Sequence, residues 1–196
     1  MSIGNQNEIT VRVMCSNEKL NQILKETGFK EVHQYNSTDI FLVPNNLNIY
    51  KEDVRKILEN AILLRESNGI TVEKHRKRIT FKSKNINKKG EILSQYSVNC
   101  DVDNLNDAKE LFEHIGYKEI MKIEEKHTSF EKDGFKLVIK YISSNNILIE
   151  IETNDKYKNI EKLKEEINKT KIPFDHSNYF IKKAEEELKK IIEKGE

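Results

Sequence analysis

The sequence predicts an α+β fold, on three observations. Several segments alternate aliphatic and polar residues with period two, the mark of half-buried strands. Others carry aliphatic residues at helical spacing between Ser or Asn caps and Gly stops. Gly and Pro are scarce, at 7 and 2 of 196 residues, which leaves little chain for linkers and favours one domain over residues 1–196.

The elements follow in order. Glu8 to Met14 alternates strictly, with Ile9, Val11 and Val13 on one face and Glu8, Thr10 and Arg12 on the other. Ser16 or Asn17 caps a helix bearing Leu20, Ile23 and Leu24, which Gly28 ends. Asp39 to Val43 reads as a strand stopped by Pro44, and Lys51 to Asn60 as a helix. Ala61 to Glu66, Ile70 to Lys74, Arg78 to Lys84 and Glu91 to Val102 read as strands. Ser67-Asn68-Gly69 and the Asn-Lys-Gly stretch to Gly90 supply turns between them. A helix capped near Asn104 or Asn106 turns Ala108, Leu111, Phe112 and Ile115 inward. Strands over Glu119 to Phe130, Phe135 to Ile142 and Ile147 to Glu152 follow, the first two joined by the hairpin signal Asp133-Gly134. Two charged helices, Lys158 to Asn168 and Ser177 to Lys194, end the chain, with solvated Glu/Lys stripes expected on both.

One pattern exceeds ordinary amphipathicity. Several strands oppose an aliphatic face with a charged one: Glu8/Thr10/Arg12, Arg76/Arg78/Thr80/Lys82/Lys84, Lys136/Lys140 and Glu150/Glu152. Two architectures satisfy it. Either the charged faces meet water, or the sheet curls so that aliphatic faces point outward under helices and charged faces line a lumen. The second arrangement confines charge and makes sense only around a polyanion and its counter-ions.

Composition excludes several classes. With 34 Lys+Arg against 33 Asp+Glu, the net charge of +1 gives no bulk field for nucleic acid, so nucleic-acid binding is not expected. No apolar run reaches the roughly 18–20 residues of a membrane span, and Met1 to Thr10 has no signal-peptide pattern. Two cysteines, Cys15 and Cys100, make neither a disulfide framework nor a metal motif, so a reduced, cytoplasmic protein is expected. No Gly-rich phosphate loop exists. No Ser-His-Asp or Cys-His constellation emerges. Lys74-His75-Arg76-Lys77-Arg78 reads either as a solvated hairpin or as a phosphate-entry patch. Tyr35, Phe41 and Phe81 read as core aromatics or as neighbours of a stacked base.

In its motifs the chain resembles the CYTH, or triphosphate tunnel metalloenzyme, family. Glu8, Thr10 and Arg12 stand where the family has Glu-x-Glu-x-Lys, and Asp39-Ile40-Phe41-Leu42 is similar to its Asp-x-Tyr-Phe strand. Ala61-Ile62-Leu63-Leu64-Arg65 resembles Ala-Leu-Arg-Ile-Arg but keeps only the second arginine. Thr80-Phe81-Lys82 matches Thr-Tyr-Lys, while Gln95 to Cys100 lacks the acidic residues of the next family strand. Glu125-Lys126-His127 stands at a Lys-x-Arg pair. Ile139-Lys140-Tyr141-Ile142 and Glu150-Ile151-Glu152 align with Leu-Asp-x-Val and Glu-Ile-Glu. Ser177-Asn178-Tyr179 is similar to the terminal Ser-Tyr, there opening the last helix. The order of these elements along nearly the whole chain carries the resemblance.

The resemblance implies an eight-stranded antiparallel closed tunnel barrel with helices outside. It implies a triphosphate-containing small molecule in the lumen and Mg²⁺ or Mn²⁺ on carboxylates, with hydrolysis of a nucleoside, thiamine or inorganic triphosphate. Adenylyl cyclase-like chemistry and non-catalytic polyphosphate binding are the alternatives, and a homodimer is compatible. Glu8, Glu150 and Glu152 are the implied catalytic and metal-binding carboxylates. Arg12, Arg65, Lys82, His127 and Lys140 are candidate phosphate ligands, and Arg76 and Arg78 join them by strand parity with Lys82. Arginine forks match phosphate oxygens in pairs, and hard divalent cations want oxygen ligands. Thr10 replaces one family carboxylate, and Lys140 puts an ammonium where an aspartate is usual, which weakens the implied metal site.

Overall fold

Strict alternation produces one antiparallel eight-stranded sheet in the computed structural model, which describes residues 8–86, 92–143 and 146–195. The elements are β1 (Glu8–Arg12), α1 (Asn17–Glu26), β2 (Lys30–Pro44), α2 (Val54–Glu59), β3 (Ile62–Gly69), β4 (His75–Ile86) and β5 (Ile92–Asp101). They continue with α3 (Leu105–His114), β6 (Tyr117–Lys132), β7 (Phe135–Ser143), β8 (Asn146–Glu152), α4 (Ile160–Lys169) and α5 (Lys183–Gly195). The strand order is β1-β8-β7-β6-β2-β3-β4-β5.

The aliphatic faces of β1, β7 and β8 point outward. Ile9, Val11, Leu137, Ile139, Ile149 and Ile151 pack against Leu20, Ile23 and Leu24 of α1 and Leu163 and Ile167 of α4. Each helix is held as its sequence requires: Ser16 caps α1, Asn159 caps α4 and Asp53 caps α2. A second core sits on the opposite face. Phe41, Leu63, Met121 and Ile123 share strand parity with Asp39, Arg65 and Glu125, and they pack against Ile57 of α2 and Leu188 of α5. These two helices therefore fill one end of the concave surface with apolar side chains.

Closure is where the architecture departs from the tunnel barrel expected. Among the described residues no ladder joins β1 to β5, so the sheet is open between them. The outer edge of β1 is occupied instead by residues 173–181. Thr10 N–H donates to the Tyr179 carbonyl (2.9 Å), and Ile181 N–H donates to the Thr10 carbonyl (3.1 Å). Met14 N–H donates to the Pro173 carbonyl (2.8 Å), and Asp175 N–H to the Arg12 carbonyl (2.9 Å). A strand whose edge groups are already paired has nothing to offer β5.

The same pairing corrects the last helix, which starts at Lys183 and not at Ser177, because residues 177–181 spend their backbone groups on β1. Residues 70–74 form no strand. They close the β3–β4 turn, with Gly69 N–H donating to the Lys74 carbonyl (2.8 Å), while Ser67-Asn68-Gly69 belongs to β3. β2 begins at Lys30, nine residues before the expected start, because its first half is polar on both faces and shows no period. On α3 Ala108 is buried, but Leu111 and Ile115 are exposed. The turn to Gly90, the strand start at Glu91 and the Lys84 side chain lie outside the described residues and side chains. The Asp133-Gly134 hairpin is as expected, with both residues at positive φ (51° and 78°), the two-residue turn that suits strand twist.

Leu163 is fully buried between α4 and the outer sheet face. Leu163→Ala is expected to cost about 2–5 kcal/mol, read from urea denaturation midpoints with an unchanged m-value.

Candidate functional site

Strand register builds the concave face in tiers. Asp39 of β2 pairs with Arg65 of β3, and Arg65 with Arg78 of β4, so one carboxylate and two guanidiniums share a level. Arg65 forks Asp39, Nε to Oδ1 and Nη2 to Oδ2, both at 2.6 Å. Burial raises the Asp39 carboxyl, but the guanidinium overrides it and holds the group below the ordinary carboxylate range. Lys183, from the first turn of α5, reaches in to bond Glu125 Oε1 and lies 3.3 Å from Asp39 Oδ2. Burial also opposes the Glu125 charge, yet the His127 contact and Lys183 keep its carboxyl well below the usual range.

The neighbouring wall carries the carboxylates. Glu8 faces Glu152 and Thr10 faces Glu150 across β1 and β8. Glu8, Glu150 and Glu152 each offer an oxygen within 4.8 Å of the others. Burial raises the Glu152 carboxyl, and repulsion from Glu150 and Glu8 raises it further. Three crowded oxygen donors with residual repulsion fit a hard divalent cation. Lys140 modifies that fit, because its Nζ donates to Glu150 Oε2 at 2.6 Å and holds the Glu150 carboxyl below its ordinary range against burial. Arg65, Arg78 and Lys82 line the same cavity of about 410 Å³ as this trio. The arrangement sets a cluster of oxygen donors that could hold a metal beside cations that can bind an anion.

The remaining candidates lie elsewhere. Arg12 lines neither cavity described here: both of its contacts to Glu186 measure 2.7 Å, from Nη2 to each carboxylate oxygen, and Nη1 bonds Asn146. Arg76 is exposed at the far mouth, its fork to Asp101 at 2.8 Å, and Arg78 shares the same carboxylate at 3.1 Å. His127 shares the concave face with Glu125 but is buried there, with Nε2 2.7 Å from Ser37 Oγ and 3.4 Å from Glu125 Oε1, and it lines neither cavity. Burial lowers its pKa despite Glu125, which favours the neutral ring.

Sequence reasoning missed the contribution of α5. Its acidic and basic residues read as solvated stripes, but Lys183 enters the lumen, Glu186 binds Arg12, and Glu185 lies 3.3 Å from Arg55. The available signal was the β-strand edge: a strand left without a partner recruits the segment that follows, and here that segment delivers α5 to the seam. Asp39 was noted only as part of a motif. Its two cations make it a centre of the site.

No protein-family model and no curated protein matches the sequence. Solved structures do. A protein from Pyrococcus horikoshii superimposes with a TM-score of 0.66 at 17% identity, covering 94% of this chain and 99% of that one. A "putative adenylate cyclase" from Vibrio parahaemolyticus gives 0.64 at 13% identity over 96% and 99%. A Hippeastrum protein described as a "putative adenylyl cyclase" with a dominant triphosphatase activity gives 0.57 at 13% identity over 97% and 96%. The fold is CYTH-like. At these identities the likeness is one of fold, and within that CYTH-like frame the open seam and the Lys140 ion pair belong to this chain's own description.

Lys183 neutralises two carboxylates that are almost wholly buried. Lys183→Met is expected to destabilise the protein by about 3–5 kcal/mol at neutral pH, because it strands buried charge. The Glu125 carboxyl is depressed in the fold, so its stabilisation is present above the ordinary value of 4.5 and fades as pH falls through the depressed value. The deficit of the variant should therefore shrink on acidification below about pH 4.5, as measured by denaturant titration at stepped pH.

Proposed function

We propose that the lumen binds a linear triphosphate and hydrolyses it, with a nucleoside, thiamine or inorganic triphosphate as the substrate class. The observation that carries this reading is one cavity lined both by the clustered carboxylates Glu8, Glu150 and Glu152 and by the cations Arg65, Arg78 and Lys82. Phosphoryl transfer asks the protein mainly for position and charge, and this cavity offers both. Arg78 and Lys82 would grip phosphate oxygens. Arg65, already anchored by Asp39, would present its remaining N–H groups from a fixed position. Glu8, Glu150 and Glu152 would hold Mg²⁺ or Mn²⁺. That ion would supply neutralisation of phosphate charge and Lewis acidity.

A second reading has its own observation. The Lys140–Glu150 pair already places one positive charge among the carboxylates, which supports binding of a polyphosphate with little or no turnover. A cytoplasmic location is part of either reading and is supported by the free thiols of Cys15 and Cys100. Among the described residues no helix is long and apolar enough to cross a membrane.

Tripolyphosphate and ATP are expected to raise the thermal midpoint, and inorganic phosphate release with Mg²⁺ or Mn²⁺ separates the two readings. Lys140→Ala removes the competing ammonium, so Mn²⁺ affinity measured by calorimetry should rise about tenfold or more. Unchanged Mn²⁺ affinity in that variant would show that Lys140 does not compete with the metal.

A further inference from the structure

One sheet edge is left over once β1 has been paired. Among the described residues no strand lies along the outer edge of β5, and β1 cannot supply one, because residues 173–181 occupy its own edge. The ladder with β4 fixes which backbone groups remain. Val102 N–H donates to the Lys77 carbonyl (3.0 Å), so by alternation residues 96, 98 and 100 also turn their backbone groups toward β4. Those of Ser97, Asn99 and Asp101 point away from the sheet, while the side chains of Ser97 and Asn99 line the lumen. The outer face of β5 is uncovered as well. Tyr96 is 54% and Val98 48% exposed, and neither helix-covered core takes in a described side chain of this strand. Val98 stands opposite Phe81 and Cys100 opposite Ile79, both of these only partly buried, so the apolar surface spans two strands.

Edge strands are ordinarily guarded by charge, by proline or by brevity. β5 has ten residues, no proline, and no Asp, Glu, Lys or Arg from Ile92 to Cys100, in a chain that is 34% charged. That neutrality selects the occupant. Two-fold pairing sets a strand against its own sequence, so a charge near the axis would meet its like. A foreign strand recognised by charge would instead need a complementary charge on β5. We propose that β5 pairs antiparallel with β5 of a second copy of this chain, joining two eight-stranded sheets across a two-fold axis at Ser97. In this register Tyr96 stands opposite the partner's Val98, and Val98 opposite the partner's Tyr96, two aromatic–β-branched pairs of a favourable kind. The outward backbone groups of Ser97 and Asn99 find their hydrogen bonds in the same ladder. The pairing concerns the wall of the lumen and stands apart from what the lumen binds.

The test is sedimentation velocity of the wild type, Val98→Lys and Tyr96→Lys over a concentration series. Both residues are exposed on the outer face, so the lysines leave the fold intact, checked by circular dichroism. The wild type is expected to dimerise. Each lysine enters the interface twice and should raise the dissociation constant about tenfold or more. The register has its own readout. Residues 96 and 98 of opposing copies form a non-hydrogen-bonded pair with Cα atoms about 4.5 Å apart, within reach of a disulfide. Mild oxidation of the double variant Tyr96→Cys/Val98→Cys should therefore give a band at twice the chain mass that neither single variant gives. A wild type that stays monomeric throughout would overturn the second copy as the occupant. A dimer indifferent to both lysines would overturn β5 as its interface, and a dimer that refuses the cross-link would overturn the antiparallel register.

Discussion

Charge confined on the inside of a curled sheet is the constraint on which the rest of this structure depends. Period-two alternation gives β1, β7 and β8 one aliphatic face each, and α1 and α4 cover those outer faces. The other faces must then look inward, and they are charged. Confined charges lose hydration and must be returned to balance by partners. Asp39 answers Arg65 and Lys183, Glu125 answers Lys183, and Glu150 answers Lys140. Removing Lys183 or Lys140 would strand Glu125 or Glu150, so these ion pairs are conditions of the fold as much as features of a site.

The open seam belongs to the same logic. β1 has only five residues, and its outer edge pairs with the chain that leads into α5. That pairing sets the first turn of α5 at the mouth of the lumen, where Lys183, Glu185 and Glu186 meet Glu125, Arg55 and Arg12. A closed barrel would have satisfied the edge without bringing these residues in. The C-terminal segment thus does two jobs at once: it caps a strand edge and completes the charge balance of the interior.

Much of the fold could be read from sequence because short-range signals decide it. The alternation of Glu8 to Met14, the cap at Ser16 and the Asp133-Gly134 turn act locally, and the elements follow them, whereas the helix read from Lys51 starts only at Val54, after the Asp53 cap. The carboxylate trio was legible too, since Glu150 and Glu152 share parity and the resemblance paired them with Glu8. What sequence could not reveal depends on three-dimensional closure. The first half of β2 has no period because lumen and outer face are both polar there. Lys183 lies on a helix whose charges look like any solvated stripe, and only the course of residues 173–181 turns it inward. Arg12 shares parity with Glu8, yet Glu186 of α5 claims it, a partner 174 residues away.

Lys140 tests how far a protein cation can stand in for a metal. Its single charge is delivered to one oxygen of Glu150, and that carboxyl is held ionised. Glu152 shows that the balance is incomplete, since its carboxyl remains raised by burial and by the charges of Glu150 and Glu8. If the ammonium had neutralised the cluster, that residual repulsion would be absent. One positive charge among three carboxylates tempers the site's attraction for a divalent ion without abolishing it. The chemistry of the donors still favours a hard cation, and the electrostatics lower the affinity with which it would be held. Under the proposed function, this combination suits a site that fills when a polyphosphate brings its own metal, because the phosphate oxygens would then supply the ligands and the negative charge that Lys140 has taken out of play.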